Sequence, residues 1–195
     1  EAVPEDPTLK AEALARAEGA IGETSVLATN TSSIGIASLA GALARPHRFV
    51  GLHFFNPVPA SRLVEVVVGD ATDADVVADA QAWVEALGKV AVTVRDSPGF
   101  ASSRLGVMLG LEAIRMLEEG VASAADIDAA MELGYRHPMG PLRTTDVVGL
   151  DVRLGIAEQL EAELGERFAP PALLRRMVAE GRLGRKSGRG FYDYD

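Results

Sequence analysis

The chain has 195 residues, 48% of them hydrophobic, and a formal charge of −9, enough to bury a core in one domain or two small ones. No stretch approaches the roughly 18 consecutive apolar residues of a membrane span, and the acidic balance disfavours nucleic acid, whose phosphates need a basic face. The absence of cysteine excludes disulfides and thiolate zinc sites and suits a cytoplasmic protein, and three histidines without a His-Glu-x-x-His pattern give no expectation of a metal site.

Glu1-Ala2-Val3 reads as the tail of a strand. Asp6-Pro7 then marks a helix start, a carboxylate cap followed by proline at the first helical position, with Leu9, Ala13, Leu14 and Ala17 as its apolar stripe and Gly19 as its end. Val26-Leu27-Ala28 is a short strand that runs into the polar cluster Thr29 to Ser33, and Ile34 to Leu43 is helix-like. Phe49 to Phe55 and Leu63 to Val68 are apolar runs with the β-branched and aromatic bias of buried strands. Asn56-Pro57-Val58-Pro59 separates them, because proline lacks the amide donor that a central strand needs. Thr72 to Leu87 predicts another helix capped by Thr72, and Lys89 to Val94 another strand. Strand, polar turn, helix and strand in succession predict a parallel sheet with crossover helices, with ligands at the carboxyl ends of strands, where Asn30 and Ser32 lie.

The rhythm changes near residue 96. A long helix is expected from Ser97-Pro98-Gly99 to about Glu119, a second capped by Ser123 with Asp126, a third opened by Gly140-Pro141, and others over Asp151 to Leu164 and Pro171 to Glu180. The fold class is therefore α/β followed by all-α, with domains over residues 1–96 and 97–195. Arg175, Arg176, Arg182, Arg185 and Arg189 make the C-terminal end locally basic, and a solvated or ion-paired face explains them better than a phosphate pocket.

Two polar residues stand out inside apolar strands: His53 and Glu65. Neither is cheap to bury alone, and a carboxylate beside an imidazole answers both costs while holding one tautomer of a usable general base. On pattern alone, a satisfied core histidine and an edge glutamate explain the same residues equally well.

The string His53-Phe54-Phe55-Asn56-Pro57-Val58-Pro59, followed by Leu63-Val64-Glu65-Val66, resembles the signature of the 3-hydroxyacyl-CoA dehydrogenases. The resemblance spans essentially the whole chain. It implies a histidine acid/base at His53 oriented by Glu65, and a Rossmann-type NAD-binding domain followed by a helical domain for substrate and dimerisation. It also implies NAD as cofactor, an acyl-CoA substrate and a homodimer. Asn30-Thr31-Ser32-Ser33 resembles the family's Asn-Thr-Ser-Ser turn, which places Ser32 against nicotinamide and the substrate oxygen and Asn30 on the cofactor. Glu5 and Lys10 fall in a segment that resembles the one lying along NAD, and Lys186 begins Lys-Ser-Gly-Arg-Gly-Phe-Tyr, which resembles the family's terminal motif. Pro98-Gly99-Phe100 resembles Pro-Gly-Phe-x-x-Asn-Arg, but Ser103 stands where the family has asparagine, leaving one hydroxyl as the substrate contact. Gly134 to Pro141 resembles an interhelical loop whose glycines and prolines set backbone geometry, with His137 in it as a loop residue.

A Gly-x-Gly-x-x-Gly turn in strand–helix context is missing from these residues, and the sheet is expected to be only the C-terminal half of a dinucleotide-binding domain. Two functions follow: NAD-dependent oxidation of a (S)-3-hydroxyacyl-CoA, short chains such as 3-hydroxybutyryl-CoA foremost, or a truncated, non-catalytic dimerising module of such an enzyme.

Overall fold

The first helix begins where aspartate and proline put it. In the computed structural model, which describes residues 1–195, α1 spans Pro7–Ala20 and the Asp6 side chain accepts a hydrogen bond from the Leu9 amide. Of the expected apolar stripe Leu14 is buried, Ala13 and Ala17 are half-buried and Leu9 is exposed, and the buried face is completed by Lys10 and Glu18. Spacing of four residues puts Lys10, Leu14 and Glu18 on one side, and both charges are matched: Lys10 by Glu1 and Glu5, Glu18 by Arg45.

The chain divides into two compact units, Glu1–Ala101 and Ser102–Asp195. In the first, β1 (Leu27–Thr29), β2 (Phe49–Phe54), β3 (Leu63–Val68) and β4 (Val90–Arg95) form one sheet in that order, with α2 (Ile36–Ala40) and α3 (Ala74–Ala86) between strands. The sheet is mixed, not purely parallel: β1 and β2 run parallel, β2 and β3 antiparallel, β3 and β4 parallel. Only eight residues separate β2 from β3, too few for a parallel crossover, so the chain reverses there. Glu1 lies along the other edge of β1, its nitrogen donating to the Ala28 carbonyl and its own carbonyl accepting from the Asn30 amide. That is the bonding of a parallel ladder.

Alternation along the strands sorts side chains between two layers. Phe49 and Val67 face a cluster with Leu14, Ile36, Leu39 and Phe100. Val50, Val64 and Val66 pack with Val76, Ala80 and Val84 of α3 on the other side. Each fully buried Leu, Val or Phe contributes roughly 1.5–3 kcal/mol by leaving water. Gly51 lies opposite Val67, and a Cβ there would stand 2.8 Å from both Ile36 Cδ1 and Val67 Cβ. The α3 cap is Asp73, not Thr72. The Thr72 hydroxyl instead donates to the Phe49 carbonyl and accepts from the Gly69 amide, tying the turn after β3 to β2.

The second unit is helical: α4 (Ser102–Glu118), α5 (Ala124–Tyr135), α6 (Pro141–Val148), α7 (Leu150–Leu164) and α8 (Ala172–Ala179). The helix α4 starts later than expected because Gly99 and Phe100 sit at φ 71° and 48°, left-handed backbone that no helix continues through. Val107, Leu111, Ile114, Leu142, Leu160 and Phe168 form its core. No helix of the chain is long and apolar enough to cross a membrane.

Two buried carboxylates organise this unit. Asp128 of α5 accepts from the Leu142 and Arg143 amides at 2.8 and 3.0 Å, capping α6 from outside, and from the Tyr192 hydroxyl at 2.7 Å. A Cβ on Gly140 would overlap it at 2.2 Å, which is why that loop needs glycine. Asp146 of α6 accepts from the Phe191 and Tyr192 amides and from the Tyr194 hydroxyl at 2.9 to 3.0 Å. Burial together with that bond pushes the Tyr194 hydroxyl up to about 12. The C-terminal Gly-x-Gly is explained by the same acid, since a Cβ on Gly190 would lie 2.0 Å from Asp146 Oδ1. The arginines near this end are largely ion-paired: Arg175 with Glu158 and Glu161, Arg182 with Glu180, Arg189 with Asp193.

Asp146→Ala leaves three donors without their acceptor and is expected to cost about 3 kcal/mol or more in urea unfolding of the chain. A loss below about 1 kcal/mol, within the range of an ordinary surface substitution, would mean that the C-terminal turn does not depend on this carboxylate.

Candidate active site

Antiparallel pairing of β2 and β3 puts His53 directly opposite Glu65. Both follow Gly51 and Val67 on the face that carries α1 and α2, because alternate residues of a strand share a face. His53 Nδ1 and Glu65 Oε2 are 2.8 Å apart, and the two residues are 4% and 1% exposed. The second carboxylate oxygen, Oε1, accepts from the Ala101 amide at 3.1 Å. That amide is delivered by the Gly99-Phe100 turn, whose positive φ angles fold the chain back over β3. The Phe55 and Phe100 rings flank the imidazole, with centroids 4.6 and 5.7 Å away. With Nδ1 committed to the carboxylate, Nε2 is the nitrogen left to exchange a proton.

A second cluster orders the turn after β1. Glu5 Oε1 accepts from the Thr31 hydroxyl at 2.5 Å, from the Ser32 and Ser33 amides at 2.9 and 3.0 Å, and from the Ser33 hydroxyl at 3.1 Å. Its other oxygen faces Lys10 Nζ at 3.2 Å. Burial alone would push the Glu5 carboxyl up, but the bonds from Thr31, the Ser32 amide, Lys10 and the Ser33 amide outweigh it and hold the group below its ordinary value. Lys10 is 1% exposed and also donates to the Glu1 carboxylate and the Val3 carbonyl, each at 3.0 Å, so its three ammonium protons are all used inside the chain. Asn30 Oδ1 accepts from the Phe54 amide at 2.9 Å, linking the turn to β2 one residue beyond His53. The Asn30 amide group keeps its donors, and the exposed Ser32 keeps its hydroxyl.

Lys186 and Ser103 belong to the second unit. Lys186 Nζ pairs with Asp151 at 2.6 Å, and that bond, against burial, holds the Asp151 carboxyl below its ordinary value. Ser103 is a half-buried residue in the first turn of α4. A cleft of the first unit, about 830 Å³, lies at Glu18, Arg45, His47 and Arg48 and includes neither His53 nor Ser32. Its arginines are already paired, Arg45 with Glu18 and Arg48 with Asp75.

Residues 1–97 match the family profile of the 3-hydroxyacyl-CoA dehydrogenase NAD binding domain, and residues 99–194 that of the C-terminal domain. The chain belongs to the 3-hydroxyacyl-CoA dehydrogenase family. It is 45% identical to a probable 3-hydroxybutyryl-CoA dehydrogenase of Bacillus subtilis, over all of this chain and 68% of that protein. Among solved structures, FadB2 of M. tuberculosis superimposes with a TM-score of 0.93 at 45% identity, over 99% of this chain and 69% of that one. The (S)-3-hydroxybutyryl-CoA dehydrogenase PaaH1 of Ralstonia eutropha gives 0.94 at 44%, over 98% and 68%.

Members of this family are NAD-dependent oxidoreductases, and NAD is the cofactor of this dehydrogenase domain. The donor set after β1 fits a nicotinamide cofactor: an unpaired hydroxyl on Ser32 and an unpaired amide group on Asn30 stand at the carboxyl end of a parallel strand, where this sheet type takes its ligands. Sequence reasoning missed Thr31, Phe100 and the Ala101 amide as parts of the candidate site. Phe100 carried a signal, a glycine-aromatic pair after proline. The Ala101 amide carried none, because a backbone donor has no letter in the sequence.

The pH response of the turn follows from Glu5. Its folded pKa is depressed, so its contribution is complete above the ordinary value of 4.5 and is lost as pH falls through the folded value. The protection of the Ser32 and Ser33 amides, taken against the intrinsic exchange rate at each pH, is expected to fall between about pH 6 and pH 3, and to be low throughout in Glu5→Gln. Equal protection of both amides at the two ends of that range would remove Glu5 as the anchor.

Proposed function

We propose that this chain carries the acid/base machinery for oxidation of a (S)-3-hydroxyacyl-CoA to the 3-oxoacyl-CoA, with a short acyl chain such as 3-hydroxybutyryl. The observation that carries the proposal is the buried His53–Glu65 pair at 2.8 Å. In it, His53 Nε2 takes the proton of the substrate 3-hydroxyl and returns it in the reverse direction. Glu65 fixes the tautomer through Nδ1 and offsets the charge of the imidazolium, and the Ala101 amide keeps that carboxylate in place. NAD, when bound, supplies the acceptor for the hydride that leaves the substrate carbon.

Ser32, on the hydroxyl that the chain leaves unpaired, orients the reacting oxygen, and Asn30 donates to the cofactor. Glu5 and Lys10 act on the cofactor side chiefly by building the turn that presents these two, since Lys10 has no donor to spare. Ser103 is assigned to the substrate and Lys186 to the cofactor on their motifs. Several relatives are 3-hydroxybutyryl-CoA dehydrogenases by name, which supports the short acyl chain.

The helical unit is proposed to pair two copies of the chain. Leu105 on α4 is 71% exposed, and Val148 of α6 and Val152 of α7 are also exposed, apolar surface that a second copy would cover. In sedimentation, Leu105→Glu is expected to shift the chain toward monomer. A wild type that is monomeric throughout would remove the pairing.

The reaction is tested by NADH-linked reduction of acetoacetyl-CoA. His53→Ala is expected to lower kcat by about 10²–10⁴-fold, and Ser32→Ala and Glu65→Gln by smaller but clear factors. Turnover in His53→Ala equal to wild type would sink the assignment. A chain that dimerises yet binds no NADH and turns nothing over would leave only the pairing module.

A further inference from the structure

Ten polar or charged side chains are buried, and nine have a partner within their own unit. Lys10 and Glu18 have opposite charges, His53 and Glu65 have each other, and Thr29, Thr31 and Thr145 donate to oxygens. Asp128 and Asp146 each collect three donors. The tenth is Arg153. It is 6% exposed, its Nε is fully enclosed, and no acceptor in the chain reaches its guanidinium. Burial alone, with no carboxylate offsetting it, pulls the group down to about 10. An arginine is among the last side chains to be buried without a counter-charge, because the desolvation cost goes unanswered.

The surroundings of Arg153 are built to leave room. It lines a cavity of about 270 Å³ in the helical unit together with Gly106, Leu109, His137, Pro141 and Thr144. On α4, two glycines face the guanidinium: a Cβ on Gly106 would meet Nη1 at 3.8 Å, and one on Gly110 would meet Nε at 3.6 Å. The cavity therefore offers one fork of donors, one threonine hydroxyl, the His137 imidazole and an otherwise apolar wall. A phosphate dianion would leave one charge and several oxygens unmet there. A carboxylate matches a guanidinium fork with two parallel bonds and needs nothing else charged.

We infer that this cavity is a seat for a single carboxylate on a short apolar body, held by the Arg153 guanidinium. The carboxylate is that of a small organic acid or of an aspartate or glutamate side chain of a second copy of the chain. The site is separate from His53, and its test does not depend on dehydrogenase activity.

Sodium butyrate is titrated into the wild-type chain against sodium chloride at equal ionic strength, reading the Arg153 Nε–H resonance and the thermal midpoint. For a free acid, the resonance shifts saturably and the midpoint rises. Arg153→Met then weakens binding at least tenfold, and Gly106→Leu, which keeps the arginine and fills the space, does the same. For a side chain of a second copy, butyrate shifts nothing, the Nε–H proton is already protected from exchange, and Arg153→Met raises the dimer dissociation constant at least tenfold. If butyrate has no effect and the association state is the same in wild type and Arg153→Met, the inference is overturned. The resonance is read on wild type, so the outcome stands even if a variant fails to fold.

Discussion

The placement of His53 opposite Glu65 depends on the reversal between β2 and β3, and much of the first unit is arranged around it. A parallel pair would need a crossover of about a dozen residues or more, and the chain has eight between these strands. Antiparallel pairing makes His53 and Glu65 direct neighbours on one face. The same register sets Gly51 against Val67, where only hydrogen leaves room for Ile36. A slip of one residue would turn His53 and Glu65 toward α3 and expose the valines that now pack there. The geometry of the pair and the hydrophobic core are thus fixed by a single alignment.

Around that pair the chain uses carboxylates as internal brackets. Glu5 gathers three residues of the turn after β1. Glu18 accepts from the Ala44 and Arg45 amides, Asp96 from the Ala37 amide at the start of α2, and Asp128 and Asp146 hold together distant parts of the helical unit. Each of these acids satisfies backbone donors that a loop or a helix start would otherwise leave to water. A formal charge of −9 therefore overstates how acidic the surface is, since several of the acids are turned inward.

These brackets also mark the limit of what the sequence shows. Local chemistry was legible: Asp6-Pro7, Ser123 with Asp126 and Gly140-Pro141 all open helices, because a cap acts within three residues of itself. The His53–Glu65 pair was legible too, since a polar residue in an apolar strand demands an explanation. Long-range partners were not. The burial of Lys10 and Glu18 has no local signal, because the acids and amides that meet them come from other segments. Thr72 looked like a helix cap and is a strand-to-strand tie instead. The late start of α4 turns on two positive φ angles, and Phe100 is a residue type for which the pattern never suggests one.

The same reasoning separates the two polar sites that the chain leaves unfinished. His53 is buried but not isolated: Glu65 meets one ring nitrogen, and only Nε2 stays open, which is the economy expected of a group that must pass a proton on and take it back. Arg153 is buried with its Nε enclosed and unpaired, and an arginine has no neutral form to retreat to near neutral pH. A histidine can wait for substrate at little cost, whereas a bare guanidinium in an apolar cavity is tolerable only if an anion spends much of its time there. The two proposed roles differ accordingly: a proton passed to and from substrate at the open nitrogen, and a carboxylate held at the guanidinium.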